Sequence, residues 1–422
     1  MWCYLRRMQN SSIRRRTELA AAVRTLEPLL MRASPHMRGK QYPRALELTA
    51  MEERGQSDGV TFRTAAASDV TLCNAFHNDF YKTSRTDAAW RWEFDSWAPA
   101  VQRGYCIIAE AKGRIVGTQS AIPIPLIAMG SSLASVKSEE TLVDKDFRTN
   151  RIFARMYDVL NRRLVHDSVA VTWGFTPAGA SFQRVGFEVP ARTRQIIKSL
   201  RADAAESLGG SEAIGIARLK GWAGSVAAMT WGALRSTITP RPPRGLELRI
   251  LDEAPADADA LSEIFSKRWQ AITIHRVREY LTWRLSDNPY VKGVMIGAYV
   301  EDQLVGYLVY AQPKAKVAFV VDVIVASQTL SDEQTESVVC ALLAEAECLA
   351  KRGGASAIRT WTVTDHPFDL LVRRATSKRG WFLISHGNDV VIQTHPAYAV
   401  ALGSFDIDQW YITRLFTEGT LG

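Results

Sequence analysis

From Val60 onward the chain alternates between short runs with apolar residues at every second position and longer runs with apolar residues three and four apart, the signatures of strands and helices. Residues 60–64 read as a strand, and Ser68 and Asp69 then supply cap-type side chains for a helix through Tyr81. Residues 105–111 and 114–123 read as two strands joined at Lys112-Gly113, followed by a strand over 133–143. Ile152, Met156, Val159 and Leu160 have helical spacing and predict a helix over 152–166. A strand over 169–175 follows, Pro177 is suited to open a short helix, and Gly186-Phe187 leads to a closing strand near 194–200.

The order then restarts. Residues 246–251 match 60–64, and 257–267 match the first helix. Trp92-Glu-Phe-Asp with Pro99 is echoed by Trp283-Arg-Leu-Ser with Pro289, and the hairpin 109–117 by 298–306. Trp173-Gly-Phe-Thr176 is echoed by Trp361-Thr-Val-Thr364, and Gly186-Phe187 by Gly380-Trp381. Matches kept in one order predict a tandem duplication. Four segments follow: a basic, flexible extension over 1–58, a first unit over 59–200, a linker with a helix near 222–234 inside 201–245, and a second unit with a C-terminal tail over 246–422.

Charge changes this picture little. The net charge is +8, but residues 1–58 hold 11 Lys and Arg against 6 Asp and Glu, leaving about +3 for the remaining 364 residues. That balance gives no basic stripe and no expectation of a nucleic-acid partner. No uncharged apolar run reaches the length of a membrane-spanning helix. The five cysteines (Cys3, Cys73, Cys106, Cys340, Cys348) are scattered, without a paired spacing, and the seven histidines show no ligand pattern. A reducing, cytoplasmic setting without a metal is expected.

The stretch Glu139-Glu-Thr-Leu-Val143-Asp-Lys-Asp-Phe-Arg148-Thr-Asn-Arg-Ile-Phe153, followed by Trp173-Gly-Phe-Thr-Pro177, resembles the GNAT acyltransferase superfamily. The resemblance covers about 60–200 well and 246–400 more weakly. It implies an α/β fold (α+β, mixed sheet) with two tandem GNAT-like domains. In that family a strand ends at a bulge, a tight loop follows, and backbone N–H groups at the next helix N-terminus hold the pyrophosphate of acyl-CoA. Carried over residue by residue, Leu142, Val143, Arg148, Thr149, Asn150, Arg151, Ile152 and Phe153 form the cofactor loop for acetyl-CoA or another acyl-CoA. Arg151 stands where the pattern has glycine. The matching second loop carries Asp332 and Glu333 and no basic residue, so it repels that anion.

Glu139 and Glu140 are the catalytic candidates, by resemblance a base on the strand before the loop. Strand alternation would turn one of them away from the cleft. The family's usual tyrosine acid has no counterpart where expected, since Phe182 and Gln183 stand there. Trp92, Asp365, His366, Asp406 and Asp408 are substrate candidates, because carboxylates beside aromatic rings suit sugar hydroxyls and ring faces. The tail reads equally as a polar turn followed by an edge strand over 410–416. The resemblance implies an N-acyltransferase acting on a small amine, such as an amino sugar. A Fem-type aminoacyl transferase and a non-catalytic scaffold of the same fold are the competing readings.

Overall fold

A computed structural model describes residues 59–96, 105–205, 207–208, 216–236, 242–313, 316–395 and 406–417. The extension over 1–58 lies outside the described residues.

The first half runs β1 (Val60–Thr64), α1 (Val70–Tyr81), α2 (Asp87–Arg91), β2 (Ile107–Ala111), β3 (Arg114–Pro123), β4 (Leu126–Ala128), β5 (Ser131–Leu133) and β6 (Ser135–Val143). It continues through α3 (Ile152–His166), β7 (Val171–Thr176), α4 (Gly179–Gln183) and β8 (Glu188–Ser199). Helix α5 (Ile216–Ser236) connects to the second half. There the order is β9 (Leu246–Leu251), α6 (Ala258–Trp269), β10 (Ile272–Ile274), α7 (Arg278–Leu281), β11 (Gly293–Val300), β12 (Gln303–Ala311) and β13 (Val317–Val325). Helix α8 (Asp332–Arg352), β14 (Ala357–Thr362), α9 (Pro367–Lys378) and β15 (Phe382–Thr394) complete it. Apart from the β4–β5 hairpin and β10, the two halves repeat one element order.

These strands form a single mixed sheet in the order β1-β2-β3-β6-β7-β15-β8-β14-β13-β12-β11-β9. Each half donates its last strand to the other. Strand β15 lies antiparallel between β7 and β8, and β8 lies antiparallel between β15 and β14. The exchange places the boundary between halves inside a continuous hydrogen-bonded sheet. A smaller sheet, β10-β4-β5, also draws strands from both halves. It accounts for the late start of β6, because the turn at Met129-Gly130, both with positive φ, ends a separate hairpin first.

A second joint is built from side chains. The chain after α2 and after α7 forms a short π-helical turn, Trp92–Ser96 and Thr282–Ser286. The two leading tryptophans stack at 5.1 Å between ring centroids, with 24° between planes. Trp92 Nε1 donates to the Trp283 carbonyl at 3.1 Å, and Trp283 Nε1 donates to the Trp92 carbonyl at 3.0 Å. Each indole is thereby buried with its polar atom satisfied.

Helix α3 covers one face of the first half through Ile152, Met156, Leu160 and Leu164, a four-residue repeat that is wholly buried. Gly117 on β3 allows its close approach, since a Cβ there would lie 3.0 Å from Ile152 Cγ2 and 3.2 Å from Met156 Sδ. Three expectations shift. The short helix begins at Gly179, not at Pro177, because Thr176 Oγ1 accepts from the Ala178 N–H and forms a turn first. The closing strand of the first half is longer than 194–200 and starts at Glu188. Residues 410–416 are not an edge strand. Trp410, Tyr411, Ile412, Leu415 and Phe416 are buried.

Candidate active site

Strands β6 and β7 pair in parallel only from Ser135 to Lys137, opposite Val171 to Trp173. Beyond that point they part, and a cavity of about 1290 Å³ opens between them. Ser138, Glu139, Glu140, Thr141 and Val143 line one wall, while Phe175, Thr176, Pro177 and Ala178 line the other. The edge of β6 freed here presents backbone N–H and C=O groups with no strand beside them among the described residues. Gly174 sits at the parting. A Cβ there would come within 3.2 Å of the Ser138 carbonyl oxygen.

A bulge shapes the β6 wall. Against β3, Ser120 pairs with Glu139 and Thr118 with Leu142, so Glu140 and Thr141 together oppose Gln119. Glu140 takes a left-handed conformation, φ 54°. The alternation expected for a regular strand therefore fails, and Glu139 and Glu140 both face the cavity. Their surroundings differ. Glu139 pairs with the buried ammonium of Lys137. Glu140, with a side chain 8% exposed, accepts from Arg85 Nη2 at 2.5 Å and lies against His77 Nδ1. Arg85 also reaches Glu93, at 3.2 Å, and Asn74, at 2.9 Å.

The other end of the cavity is cationic. Asp144 caps the six-residue turn Lys145–Asn150, its side chain accepting from the Asp146 N–H at 3.0 Å, and Arg114 holds it at 2.7 Å. The Asp146 N–H and the Arg114 guanidinium hold the Asp144 carboxyl below its usual range, against a smaller opposing effect of burial. Arg151 ends the turn at φ 54°, ψ 21°, and α3 begins with no side-chain cap and no acidic residue in its first turn. Arg151 thus holds the conformation that glycine would take without strain. Arg148, Arg151 and Arg184 line this end together with Phe153. Ile152 and Leu142 are buried beneath it and shape the loop from below. The side chains of Thr149 and Asn150 lie outside the described ones.

The second half repeats the parting. Strands β13 and β14 pair in parallel only over Val317–Phe319 and Ala357–Arg359. Here the gap is filled by the chain's own tail. Tyr411 Oη donates to the Val323 carbonyl at 2.6 Å, Thr413 Oγ1 to Asp322 Oδ1 at 2.9 Å, and Thr364 Oγ1 to the Trp410 carbonyl at 2.6 Å. Arg276 lies two residues before α7, as Arg85 lies two before α2, and pairs with Asp322 on β13 at 2.7 and 2.9 Å. Both partners of this pair are fully buried. Arg268 occupies the acidic loop, donating to the carbonyls of Ser327 and Leu330 and to Asp332 Oδ1.

The five substrate candidates lie outside the lining of this cavity. Trp92 is the inter-half joint described above. Asp365 is an exposed partner of Arg373, at 2.6 Å. His366 is buried as the N-cap of α9, its Nδ1 accepting from the Phe368 N–H, and burial lowers its pKa to about 4. Asp406 caps the short turn at Ile407, and Asp408 accepts from the Asp365 N–H. Their carboxylates hold the tail against the start of α9, so local backbone capping accounts for a pattern that suits sugar hydroxyls equally well.

Sequence reading did not single out His77, Arg85, Glu93, Arg184 or Tyr290, all of which line the cavity. They converge from α1, the loop before α2, the π-helical turn, the end of α4 and the second half, and no local spacing links them. Tyr157 is a further case. Its hydroxyl is 2.6 Å from Ser138 Oγ and 3.1 Å from Thr141 Oγ1, and burial raises its pKa well above the usual phenol value.

A family model for the acetyltransferase (GNAT) domain matches residues 61–189. Among solved structures, a GCN5-related N-acetyltransferase from Kribbella flavida is 13% identical, with a TM-score of 0.51 over 81% of this chain and 72% of that one. A probable N-acyltransferase of unknown function from Enterococcus faecalis V583 gives 0.54 at 8% identity, over 80% and 73%. N-myristoyltransferase from Saccharomyces cerevisiae, solved with myristoyl-CoA bound, gives 0.52 at 13% identity, over 80% and 83%. No protein of curated function matches the chain in sequence. Residues 61–189 thus match a GNAT acetyltransferase domain, and the chain shares the mixed α/β fold of these structures.

Proposed function

We propose that the chain transfers an acyl group from acyl-CoA to the primary amine of a small acceptor, an amino sugar being the class that suits the cavity. The parting of β6 and β7 carries this reading. A pantetheine arm is a chain of amides, and the freed edge of β6 is a matching row of donors and acceptors. Arg148, Arg151 and the uncapped start of α3 fit a pyrophosphate, because the positive helix end and guanidinium groups both favour an anion. Backbone N–H groups near Leu142 and Val143 lie where a thioester oxyanion would need donors.

The opposite end suits an ammonium. Glu93, Glu139 and Glu140 place carboxylates there, and Tyr81 and Tyr290 add ring faces for a sugar. The cavity exceeds the roughly 300–1,000 Å³ of common ligand sites, which leaves room for donor and acceptor together. The described cysteines are free, in keeping with a reducing cytoplasmic setting. The repeated element order supports a tandem origin, with units over 59–200 and 246–422, the second acting as scaffold.

Titration calorimetry with acetyl-CoA, followed by thiol-release assays over a panel of amines that includes amino sugars, tests the reading. Saturable binding and turnover with an amino sugar are expected. No binding up to millimolar acetyl-CoA would overturn it.

A further inference from the structure

We propose that His77 is the group that takes the acceptor's proton, and that Glu140 positions it; this rests on the acyltransferase reading above. Glu140 is one of the two carboxylates expected to act as base, yet its Oε1 is already committed. It holds Arg85 at 2.5 Å and lies against His77 Nδ1, with its side chain 8% exposed. His77 is 16% exposed and lines the cavity. With Nδ1 turned to Glu140, Nε2 is the nitrogen left for an acceptor, and no other hydrogen-bond partner holds it among the described residues. A carboxylate in contact with an imidazole stabilises the imidazolium.

The second half provides an independent argument, because it keeps the pair and lacks the histidine. Helices α1 and α6 are both 12 residues long, and both end in a left-handed C-cap, Lys82 and Gln270. Counting back from those caps sets His77 against Phe265. The arginine–carboxylate pair survives there as Arg276–Asp322, fully buried, with Arg276 over the Phe265 ring at 5.9 Å. A feature present in both the open and the filled half is explained by folding. The residue that differs is the one facing the open cavity.

The step balances as follows. His77 Nε2 takes one proton from the acceptor ammonium, leaving a neutral amine and an imidazolium. The amine lone pair forms the C–N bond at the thioester carbonyl. The C–S bond breaks, and the CoA thiolate leaves with the second amine proton as a thiol. The imidazolium then loses its proton to water. The charged groups facing His77 are Glu140 from β6 and, behind it, Arg85 and Glu93; Tyr81 packs on its ring at 4.9 Å.

The test compares two acceptors in the full chain, D-glucosamine, which is largely protonated at neutral pH, and hydroxylamine, which is largely neutral there. His77→Ala and His77→Asn should bind acetyl-CoA as the wild type does. They should lose about 100-fold in kcat with glucosamine, the usual scale for a general base. With hydroxylamine, the loss should fall below about threefold, since the proton to be taken is already absent. Equal losses with both acceptors, or no loss in either variant, would overturn the role of His77 while leaving the donor site intact. Absent acetyl-CoA binding in the wild type would overturn the donor site, and this proposal with it.

Discussion

Arg151 tests the cofactor end most sharply, because its backbone and its side chain make opposite contributions. At φ 54° it occupies the left-handed region, which costs a non-glycine residue about 1–2 kcal/mol. Arg151→Gly removes that strain but adds about 0.5–1 kcal/mol of unfolded-chain entropy, so stability should stay level or rise by up to about 1.5 kcal/mol. The side chain is exposed at the cavity beside Arg148, where a hydrogen bond to a charged phosphate is worth about 1.5–3 kcal/mol. At about 1.4 kcal/mol per tenfold, its loss should weaken acetyl-CoA binding about 10- to 100-fold. Arg151→Ala should lose the same affinity while keeping the strain. Calorimetric Kd values beside urea midpoints for the three proteins separate the two contributions. If Arg151→Gly bound acetyl-CoA as tightly as the wild type, or more tightly, the side chain would be crowding the loop, and its phosphate role would be refuted.

Trp92→Ala should cost about 3–5 kcal/mol in urea unfolding, the range for deleting a large buried aromatic, as it breaks the stacked pair and the bond from the Trp92 indole to the Trp283 carbonyl. Arg276→Met should cost about 3–5 kcal/mol by leaving the buried Asp322 charge without its counterion, and the double change with Asp322→Leu should recover most of that loss. Burial lowers both His366 and His395 from 6.5 to about 4, so the unfolded chain binds more protons between those values. Stability from these two groups is complete above about pH 6.5 and is lost as pH falls towards 4. Asp369, raised by burial to about 6, acts in the opposite sense, stabilising below about 4 and losing that contribution as pH rises through 6. His366→Asn should flatten the acid limb of a urea-midpoint-against-pH curve; an unchanged limb would show that its burial is not linked to folding.

Much of this was legible in local pattern. The ranges 60–64, 114–123, 152–166 and 246–251 coincide with strands or helices because one buried face imposes a simple period. Arg148 and Arg151 stand out in the sequence because loop chemistry is local, and both line the cavity. The strand exchange was not legible, since β8 and β15 have the same composition whichever half they pair with. Nor was the double exposure of Glu139 and Glu140, because a bulge leaves no mark in the residue pattern. His77 sat on an ordinary amphipathic helix, and only the return of residues 83–85 beneath β6 brings it to Glu140. The tail misled for a related reason: Asp406, Asp408 and Trp410 have the composition of a ligand surface, but the two carboxylates cap local backbone while Trp410 and the residues after it plug the second slot.

That plug makes the central claim countable. The first half holds an open slot between β6 and β7, and the second half's slot between β13 and β14 is filled by Trp410 to Phe416. Calorimetric titration of the full chain with acetyl-CoA should therefore give one site per chain, weakened by Arg148→Ala and unaffected by Arg268→Ala. Two sites, or a single site sensitive to Arg268 and not to Arg148, would contradict the account.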